Sequence, residues 1–263
     1  MSGKKYIVLA HGGAGANEDH SDGTEKAARR GVEELKAGAP VLLSVCRAVT
    51  VLEDDSRYNA GLGSRRRSDE TIRMDASCMD SHNRFGAVAL LEGFRNPVEV
   101  AYAVSQSRYR FLGGEGAGQF AREQNAIVLN PADIRSKSDI PSSSDTVGCV
   151  AFDNENFAAA LSTGGTEDSH PGRVGDVPII GGGLYAGSNG AVAVTGIGEE
   201  IFMRMTAYRA YQMIEQDESP ENIVEAVLSW FDHSVDIGII LVSRQGYAGG
   251  ANRPMPWSVV KEG

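Results

Sequence analysis

Hydrophobic residues along the chain alternate between continuous runs and helical spacing, which predicts buried strands and amphipathic helices. The run Tyr6–Ala10 is continuously apolar, as in a strand covered on both faces. After Pro40, apolar residues recur with helical periodicity, which predicts a helix that ends at 53–55. The same two patterns predict helices at 24–37, 96–106, 115–124, 200–216 and 220–231, and strands at 71–75, 85–91, 147–152, 157–161, 191–194, 236–242 and 247–251.

The order of these elements is strands, helices, strands, helices and strands again. The 263 residues provide ample core, either as one large domain or as two small ones. We therefore expect an α+β protein in which two sheets pack face to face between layers of helices.

Thr146 stands where the chain changes character. A polar run ends at Asp145, and an apolar strand begins immediately after Thr146. If the chain were cut between them, one residue would carry a hydroxyl nucleophile and an α-amine, whose pKa of about 8 lets it act as a base near neutral pH. The plainer alternative, which the local run alone favours, is that Thr146 only begins a strand.

The hairpin that follows Thr146 gives this idea a geometric test. With Asn154 and Glu155 as a two-residue turn, the register sets Thr163 directly opposite Thr146, with the Cβ atoms about 5 Å apart. A turn shifted by one residue would place Gly165 there instead.

The composition narrows the class of partner. Asp and Glu outnumber Lys and Arg by 35 to 25, and the resulting charge of −10 argues against nucleic acid or an anionic membrane. Cys46, Cys78 and Cys149 are widely spaced in apolar runs, which predicts buried, reduced thiols rather than a disulfide framework or a zinc site. We find no signal peptide and no apolar run of about 20 residues, so we expect a soluble cytoplasmic protein.

Several loops contain polar residues that could serve a site. The loop 11–15 lacks the spacing of a dinucleotide-binding turn and the lysine of a P-loop, so we favour a tight turn with a hydrogen-bonded structural His11 over a catalytic base. Asn59 is either a loop-capping residue or a polar group aimed at a ligand. Arg65–Arg67 is short and is followed by acidic residues, which favours a solvated turn.

Arg173 and Asp176 lie in a further glycine-rich loop. Taken alone, their spacing favours a surface ion pair. The alternative is a clamp for a zwitterion, in which Arg173 binds a carboxylate bidentately and Asp176 binds an ammonium.

Short motifs rich in glycine and polar residues are spread along most of the chain. They are His11-Gly12-Gly13-Ala14-Gly15, Asn59-Ala60-Gly61, Asp75-Ala76-Ser77, Thr146-Val147-Gly148, Ser162-Thr163-Gly164-Gly165, Pro171-Gly172-Arg173-Val174-Gly175-Asp176 and Thr195-Gly196-Ile197-Gly198-Glu199. Each motif is weak alone, and the ordered set is specific. Together they resemble the plant-type L-asparaginase and isoaspartyl peptidase branch of the N-terminal nucleophile hydrolases.

This resemblance implies a four-layer αββα sandwich and a precursor that cleaves itself between Asp145 and Thr146. The products would be an α subunit, 1–145, and a β subunit, 146–263, which together form one domain. The resemblance further implies hydrolysis of L-asparagine and of β-aspartyl dipeptides, by a dimer of αβ units that requires no cofactor.

The resemblance also implies individual roles. Thr146 would be the nucleophile, with its own amine as the base, and Thr163 would help to activate it. Thr195 and the N–H of Gly196 would form the oxyanion hole. Asn59 would orient groups near the nucleophile. Arg173 would bind the substrate α-carboxylate, Asp176 would bind its α-ammonium, and Gly198 would line the pocket.

In related enzymes, backbone carbonyls of the loop before the asparagine bind sodium. The resemblance therefore implies a structural sodium ion, and main-chain oxygens suit such a hard cation. The carbonyls concerned are those of Leu52, Glu53, Asp55, Tyr58, Ala60 and Leu62.

Two other functions remain open. Aspartate before the threonine also occurs in the glycosylasparaginase branch, so a glycosylasparaginase or a threonine aspartase-like hydrolase is one alternative. The Ser162-Thr163-Gly164-Gly165 motif favours asparaginase. The other alternative is an uncleaved amino-acid-binding protein on the same scaffold. The connector before Thr146 is shorter than in many family members, so cleavage could be slow.

Overall fold

The structure is a computed structural model that describes residues 5–130, 133 and 146–263. Asp145, the residue before the predicted cleavage point, lies outside the described residues, as does most of the polar connector. None of the described helices is long and apolar enough to span a membrane.

The described residues form a mixed α+β fold with two sheets. The helices are α1 (Ser21–Lys36), α2 (Val41–Glu53), α3 (Pro97–Ser105), α4 (Gly114–Glu123), α5 (Gly198–Met203), α6 (Thr206–Glu215) and α7 (Pro220–Ser229), with 3₁₀ turns at Glu18–His20 and Gly61–Gly63. The strands are β1 (Tyr6–His11), β2 (Met74–Asp80), β3 (Phe85–Leu91), β4 (Phe111–Gly113), β5 (Val147–Phe152), β6 (Phe157–Thr163), β7 (Leu184–Gly187), β8 (Gly190–Gly196), β9 (Ile237–Ser243), β10 (Tyr247–Ala251) and β11 (Trp257–Glu262).

The larger sheet has seven strands in the order β11-β1-β5-β6-β2-β3-β4, and the smaller has four in the order β10-β9-β8-β7. Neighbouring strands are antiparallel except β3 and β4, which are parallel. Because β5 lies between β1 and β6, the strand that follows Thr146 is in the interior of the larger sheet.

Three apolar clusters account for most of the buried core. One joins α1–α4 to one face of the larger sheet, a second combines residues of both sheets, and a third joins α5–α7 to the smaller sheet. All three cysteines are free and lie buried in the first cluster, as predicted. Burial raises the pKa of the Cys149 thiol, which keeps it protonated and unreactive.

The region predicted as one long helix after Glu199 is two helices, because Met205 interrupts it. Met205 adopts left-handed backbone geometry with φ of 50°. The N–H groups of Ala207 and Tyr208 then donate to carbonyls of the loop 181–182, which satisfies donors that the first turn of α6 cannot satisfy itself.

Three strands of the structure were not predicted from the sequence, and a fourth lies at other residues than predicted. The strand predicted at 71–75 begins at Met74 and continues to Asp80, and β4, β7 and β11 were not predicted. Two of these three are no longer than four residues. The third, β11, is a half-exposed edge strand that depends on its pairing with β1.

Candidate active site

The predicted hairpin register is confirmed. Val147 of β5 pairs with Ser162 of β6, and the pairing runs without a shift to the turn. One further step of this register sets Thr146 opposite Thr163, with the Cβ atoms about 5 Å apart. Both threonines are buried, at 6% exposure each. The predicted nucleophile thus lies beside the hydroxyl predicted to activate it.

Asp75 extends this pair into a row of three across neighbouring strands. It pairs with Thr163 from β2, on the side of β6 away from β5, and is fully buried. Its Oδ1 accepts a hydrogen bond from Leu90 N at 2.8 Å, whereas Oδ2 has no hydrogen-bond partner among the described residues. Burial raises the pKa of Asp75 to about 6. Asp75 belongs to one of the motifs in the sequence, but no role in the site was predicted for it.

Asn59 fixes the loop that follows Thr163. Its Nδ2 donates to the Gly165 carbonyl at 2.7 Å, and its Oδ1 accepts from Arg65 N at 3.1 Å. Its own carbonyl accepts from Gly164 N at 2.9 Å. Gly165 N in turn donates to Thr163 Oγ1 at 3.0 Å. These contacts are those of a loop-capping residue, and they position Thr163 through Gly165.

Thr195 and Gly196 end β8 and bring the smaller sheet to the site. The buried Thr195 Oγ1 accepts a hydrogen bond from Ala14 N at 3.3 Å, which links the glycine-rich loop after β1 to β8. Gly196 has φ of 140°, and a Cβ there would collide with the Asp236 carbonyl. Only glycine fits this position, and it leaves the backbone at the proposed oxyanion hole uncovered.

Arg173 and Asp176 form no ion pair with each other, so the surface pair favoured by the local sequence is wrong. They instead border one small volume at Gly198. A Cβ on Gly198 would lie 2.9 Å from both Arg173 Nη2 and Asp176 Oδ1. A cation and an anion that converge on one glycine form an arrangement that suits a small zwitterion.

The charge of Asp176 is strongly affected by burial. Its side chain is 4% exposed, and Oδ2 has no hydrogen-bond partner among the described residues. Burial raises the pKa of Asp176 to about 7, the Arg173 charge lowers it, and the nearby carboxylates of Asp75 and Glu199 raise it further. A ligand ammonium beside Asp176 would therefore favour its ionised form.

The ion pair of Arg173 is made with Glu199, in the first turn of α5. Arg173 Nε donates to Glu199 Oε1 at 2.8 Å, and Nη2 donates to Oε2 at 2.7 Å. This pair raises the pKa of Arg173 and lowers that of Glu199. Glu199 belongs to one of the motifs in the sequence, but its pairing with Arg173 was not predicted.

The solvated turn predicted for Arg65–Arg67 is also wrong, since Arg65 and Arg67 are buried. Arg67 Nη1 donates to Ser169 Oγ at 2.9 Å and to the Arg173 carbonyl at 3.1 Å, and Nη2 donates to the Arg73 carbonyl at 2.9 Å. Arg67 thus holds the loop that carries Arg173. Local charge pattern could not show this, because the three acceptors are distant in sequence or lie on the backbone.

His11 lies fully buried at the end of β1, where its ring occupies the space left by the missing side chain of Gly148. The hydrogen bond predicted for this histidine is absent, since neither ring nitrogen has a partner among the described residues. The ring is near enough to the Thr146 backbone to raise its pKa slightly, but burial dominates and lowers the pKa to about 3. His11 is therefore a neutral packing residue next to Thr146.

The residues predicted to bind sodium lie in the last turn of α2 and in the loop that follows it. Two glycines of this loop pack closely against backbone carbonyls. A Cβ on Gly61 would collide with the Glu53 carbonyl, and a Cβ on Gly63 would collide with the Tyr58 carbonyl. The Tyr58 carbonyl accepts a backbone hydrogen bond from Ala60, and each carbonyl oxygen has a second lone pair that a hard cation could use. Within the described ranges, no cluster of His, Cys, Asp and Glu side chains could hold a metal.

Comparison with known proteins decides the family. The family model described as Asparaginase matches residues 4–141 and 133–255. The chain belongs to the Asparaginase family. This confirms the resemblance inferred from the motifs, and every site residue described above lies within the matched ranges.

Three curated relatives of this Asparaginase-family chain show how far the similarity extends. The chain is 37% identical to an isoaspartyl peptidase/L-asparaginase of Rattus norvegicus, an alignment that covers 98% of this chain and 86% of the relative. It is 34% identical to the Homo sapiens protein of the same name, in an alignment that covers 98% of this chain and 94% of that protein. It is 32% identical to a plant-type L-asparaginase of Pyrococcus abyssi, in an alignment that covers 97% of this chain and 96% of that protein.

Proposed function

We propose that this chain is an N-terminal threonine amidohydrolase that converts L-asparagine into L-aspartate and ammonia and also cleaves β-aspartyl dipeptides. The observation that carries the proposal is that Arg173 and Asp176 border one volume at Gly198. L-Asparagine and β-aspartyl dipeptides both present a carboxylate and an ammonium on one carbon. Family membership and the names of the relatives support the same substrates.

Substrate binding orients the bond to be broken. Arg173 takes the α-carboxylate and Asp176 takes the α-ammonium, which leaves the side-chain carbonyl to reach the threonine row. The carbonyl oxygen is directed to Thr195 Oγ1 and Gly196 N, whose hydrogen bonds stabilise negative charge as it develops there.

The chemistry then proceeds through an ester. Thr146 Oγ attacks the amide carbon, and the α-amine of Thr146 takes the hydroxyl proton. The C–N bond breaks as the amine passes this proton to the departing nitrogen, which leaves as ammonia or as an amino acid. Water attacks the resulting β-aspartyl ester, again with the amine as base. The ester C–O bond breaks, Thr146 recovers its proton and L-aspartate leaves.

We infer that the same hydroxyl creates the active chain. Thr146 Oγ attacks the carbonyl of Asp145, the acyl group moves from nitrogen to oxygen, and water hydrolyses the ester. This exposes the amine that later catalysis requires and leaves an α subunit, 1–145, and a β subunit, 146–263. His11 remains a neutral packing group beside the Thr146 backbone throughout.

The larger-scale arrangement proposed is a four-layer αββα sandwich, supported by the three apolar clusters that join helices to sheet, sheet to sheet and sheet to helices. The αβ unit is proposed to dimerise. Three free thiols support a reducing compartment such as the cytoplasm. We also propose that sodium, when bound to the carbonyl loop at 52–62, would stiffen the segment before Asn59.

Substitution of Thr146 tests this function. Thr146→Ala is expected to lower kcat with L-asparagine by at least about a thousandfold, because both nucleophile and self-cleavage are lost. Thr146→Ser should retain cleavage and measurable turnover. Thr166→Ala, an exposed threonine three residues after Thr163, is the matched control and should behave as wild type. Full hydrolysis by Thr146→Ala would contradict the proposal.

The same assay separates the alternatives. Hydrolysis of a glycosylated asparagine or of a folded protein, without hydrolysis of L-asparagine, would favour the hypothesis of a glycosylasparaginase or a threonine aspartase-like hydrolase. An intact chain that binds L-aspartate without turnover would favour the binding protein.

A further inference from the structure

The contact between Arg173 and Glu199 uses one defined edge of the guanidinium. Glu199 accepts from Nε and Nη2, at 2.8 and 2.7 Å, which is the side-on edge. Nη1 makes no hydrogen bond within the described part of the chain. The end-on edge, formed by Nη1 and the second proton of Nη2, is therefore open for a second carboxylate.

The open edge lies next to the volume at Gly198. Arg173 Nη2 and Asp176 Oδ1 each lie 2.9 Å from the position of a Cβ on Gly198. Arg173 Nη1 lies 3.1 Å from the corresponding position on Gly175. The two donors left free by Glu199 thus lie against glycines, which have no side chain that could cover them.

We propose that Glu199 is a positioning residue that fixes the Arg173 guanidinium with its end-on edge towards the substrate, and so selects substrates that carry an α-carboxylate. This inference rests on the proposed function, because it concerns how that substrate is held. Glu199 acts through Arg173 and takes no part in breaking the amide bond.

Orientation by Glu199 removes freedom that a long side chain otherwise has. An arginine head group can rotate about several bonds, and fixing it before the ligand arrives reduces the cost of binding. The backbone of Arg173 is already held, since its carbonyl accepts from Arg67 Nη1 at 3.1 Å. Glu199 adds the second point of attachment, at the head group.

The geometry opposes the competing idea that Glu199 blocks the site. A blocking carboxylate would occupy both Nη1 and Nη2, whereas Glu199 accepts from Nε and Nη2 and leaves Nη1 and the second proton of Nη2 open. Its side chain is 53% exposed, while that of Arg173 is 18% exposed, so Glu199 approaches from the solvent side. The substrate carboxylate can therefore bind while the Arg173–Glu199 pair stays intact.

Glu199→Gln and Glu199→Ala test the proposal, with Glu200→Gln as the matched control. Glu200 is the next residue of α5 and pairs with Arg204 instead. With L-asparagine, we expect Glu199→Gln to raise KM about 5- to 20-fold and leave kcat within about twofold, since a ground-state contact is weakened. Glu199→Ala should raise KM at least as much, and Glu200→Gln should leave both constants within about twofold of wild type.

A comparison of ligands separates orientation of Arg173 from general damage. The binding of L-aspartate and of β-alanine, which is aspartate without its α-carboxylate, is measured by calorimetry on cleaved wild type and variants. Glu199→Gln should weaken L-aspartate about 5- to 20-fold and leave β-alanine unchanged. Equal weakening of both ligands, or an unchanged KM for asparagine, would overturn the proposal. A lower KM in either variant would show that Glu199 competes with substrate.

These outcomes are distinct from a failure of the proposed function. If the wild-type protein binds L-aspartate but does not hydrolyse asparagine, the proposed hydrolase function is wrong. The calorimetric comparison would still test whether Glu199 orients Arg173. Wild-type turnover with unaltered Glu199 variants would remove only the present inference.

Discussion

Asp176 has an unusual charge state for an aspartate because the site buries it. Its pKa is raised from 3.8 to about 7, mainly by burial. Since the folded pKa exceeds the unfolded one, the neutral form contributes stability that is fully present below about pH 3.8 and is lost as pH rises through about 7. Binding of an ammonium requires the opposite form, so affinity and stability change in opposite directions over this interval.

The first prediction concerns this pH dependence. KM for L-asparagine should rise roughly tenfold for each pH unit below about 7, because the fraction of ionised Asp176 in the free protein falls at that rate. Succinamate, which is asparagine without the α-amine, should show no such rise. The measurement is KM from pH 5 to 8 with both substrates. A flat KM for asparagine over this range would contradict the assignment of Asp176 to the ammonium.

A second prediction concerns the space at Gly198. Gly198→Ala would set a Cβ 2.9 Å from Arg173 Nη2 and Asp176 Oδ1, so the clamp must open or the pocket must shrink. KM is expected to rise at least about tenfold while the protein still folds, since a loss of about 1.4 kcal/mol in binding has that effect.

Gly116→Ala is the control for this substitution. Gly116 lies in α4, and a Cβ there would have nothing within 4 Å. It should leave KM unchanged and stabilise the protein by about 0.5–1 kcal/mol, as glycine is costly within a helix. An unchanged KM in Gly198→Ala would mean that substrate does not occupy the space between Arg173 and Asp176.

At the scale of elements, the site depends on loops tied to each other by buried polar side chains. Asn59 fixes the loop after β6, and Arg67 fixes the loop that carries Arg173. Burial lowers the pKa of Arg67, while the charge of Asp75 opposes that shift. A buried cation with three fixed acceptors keeps the substrate loop in place.

The third prediction follows from this anchoring. Arg67→Met should lower the free energy of unfolding by about 2–4 kcal/mol, because buried carbonyls lose their donor and Asp75 loses a compensating charge. It should also raise KM for asparagine. Urea unfolding measures the first effect. Arg66→Met, at the partly exposed neighbour, should cost less than about 0.5 kcal/mol. Equal losses for the two variants would contradict an anchoring role for Arg67.

The sequence predicted those elements and motifs that are determined by residues close together in the chain. The register of the Thr146 hairpin was predictable because a two-residue turn fixes which residues face each other. The environment of Arg67, the partner of Arg173 and the break at Met205 were not predictable, since each depends on residues far away in the chain. Charge spacing suggested an Arg173–Asp176 pair, whereas Glu199 lies 26 positions away from Arg173.

For the whole molecule, the larger sheet interleaves the two proposed subunits. Strands β11, β5 and β6 belong to the segment 146–263, and β1, β2, β3 and β4 belong to the segment that precedes the cut. Because β1 pairs with both β11 and β5, and β6 pairs with β2, separation of the segments would break several strand pairs at once. Cleavage before Thr146 should therefore leave the two chains associated under native conditions.

The central claim is that Thr146 becomes the first residue of a new chain. The most direct measurement is the intact mass of freshly purified protein, followed over days both natively and after denaturation. We expect one species in native conditions and, after denaturation, two fragments, of which one begins at Thr146. The Thr146→Ala variant should remain whole. A wild-type chain that hydrolyses asparagine while it stays intact would contradict the account, because the threonine amine would then never have been free.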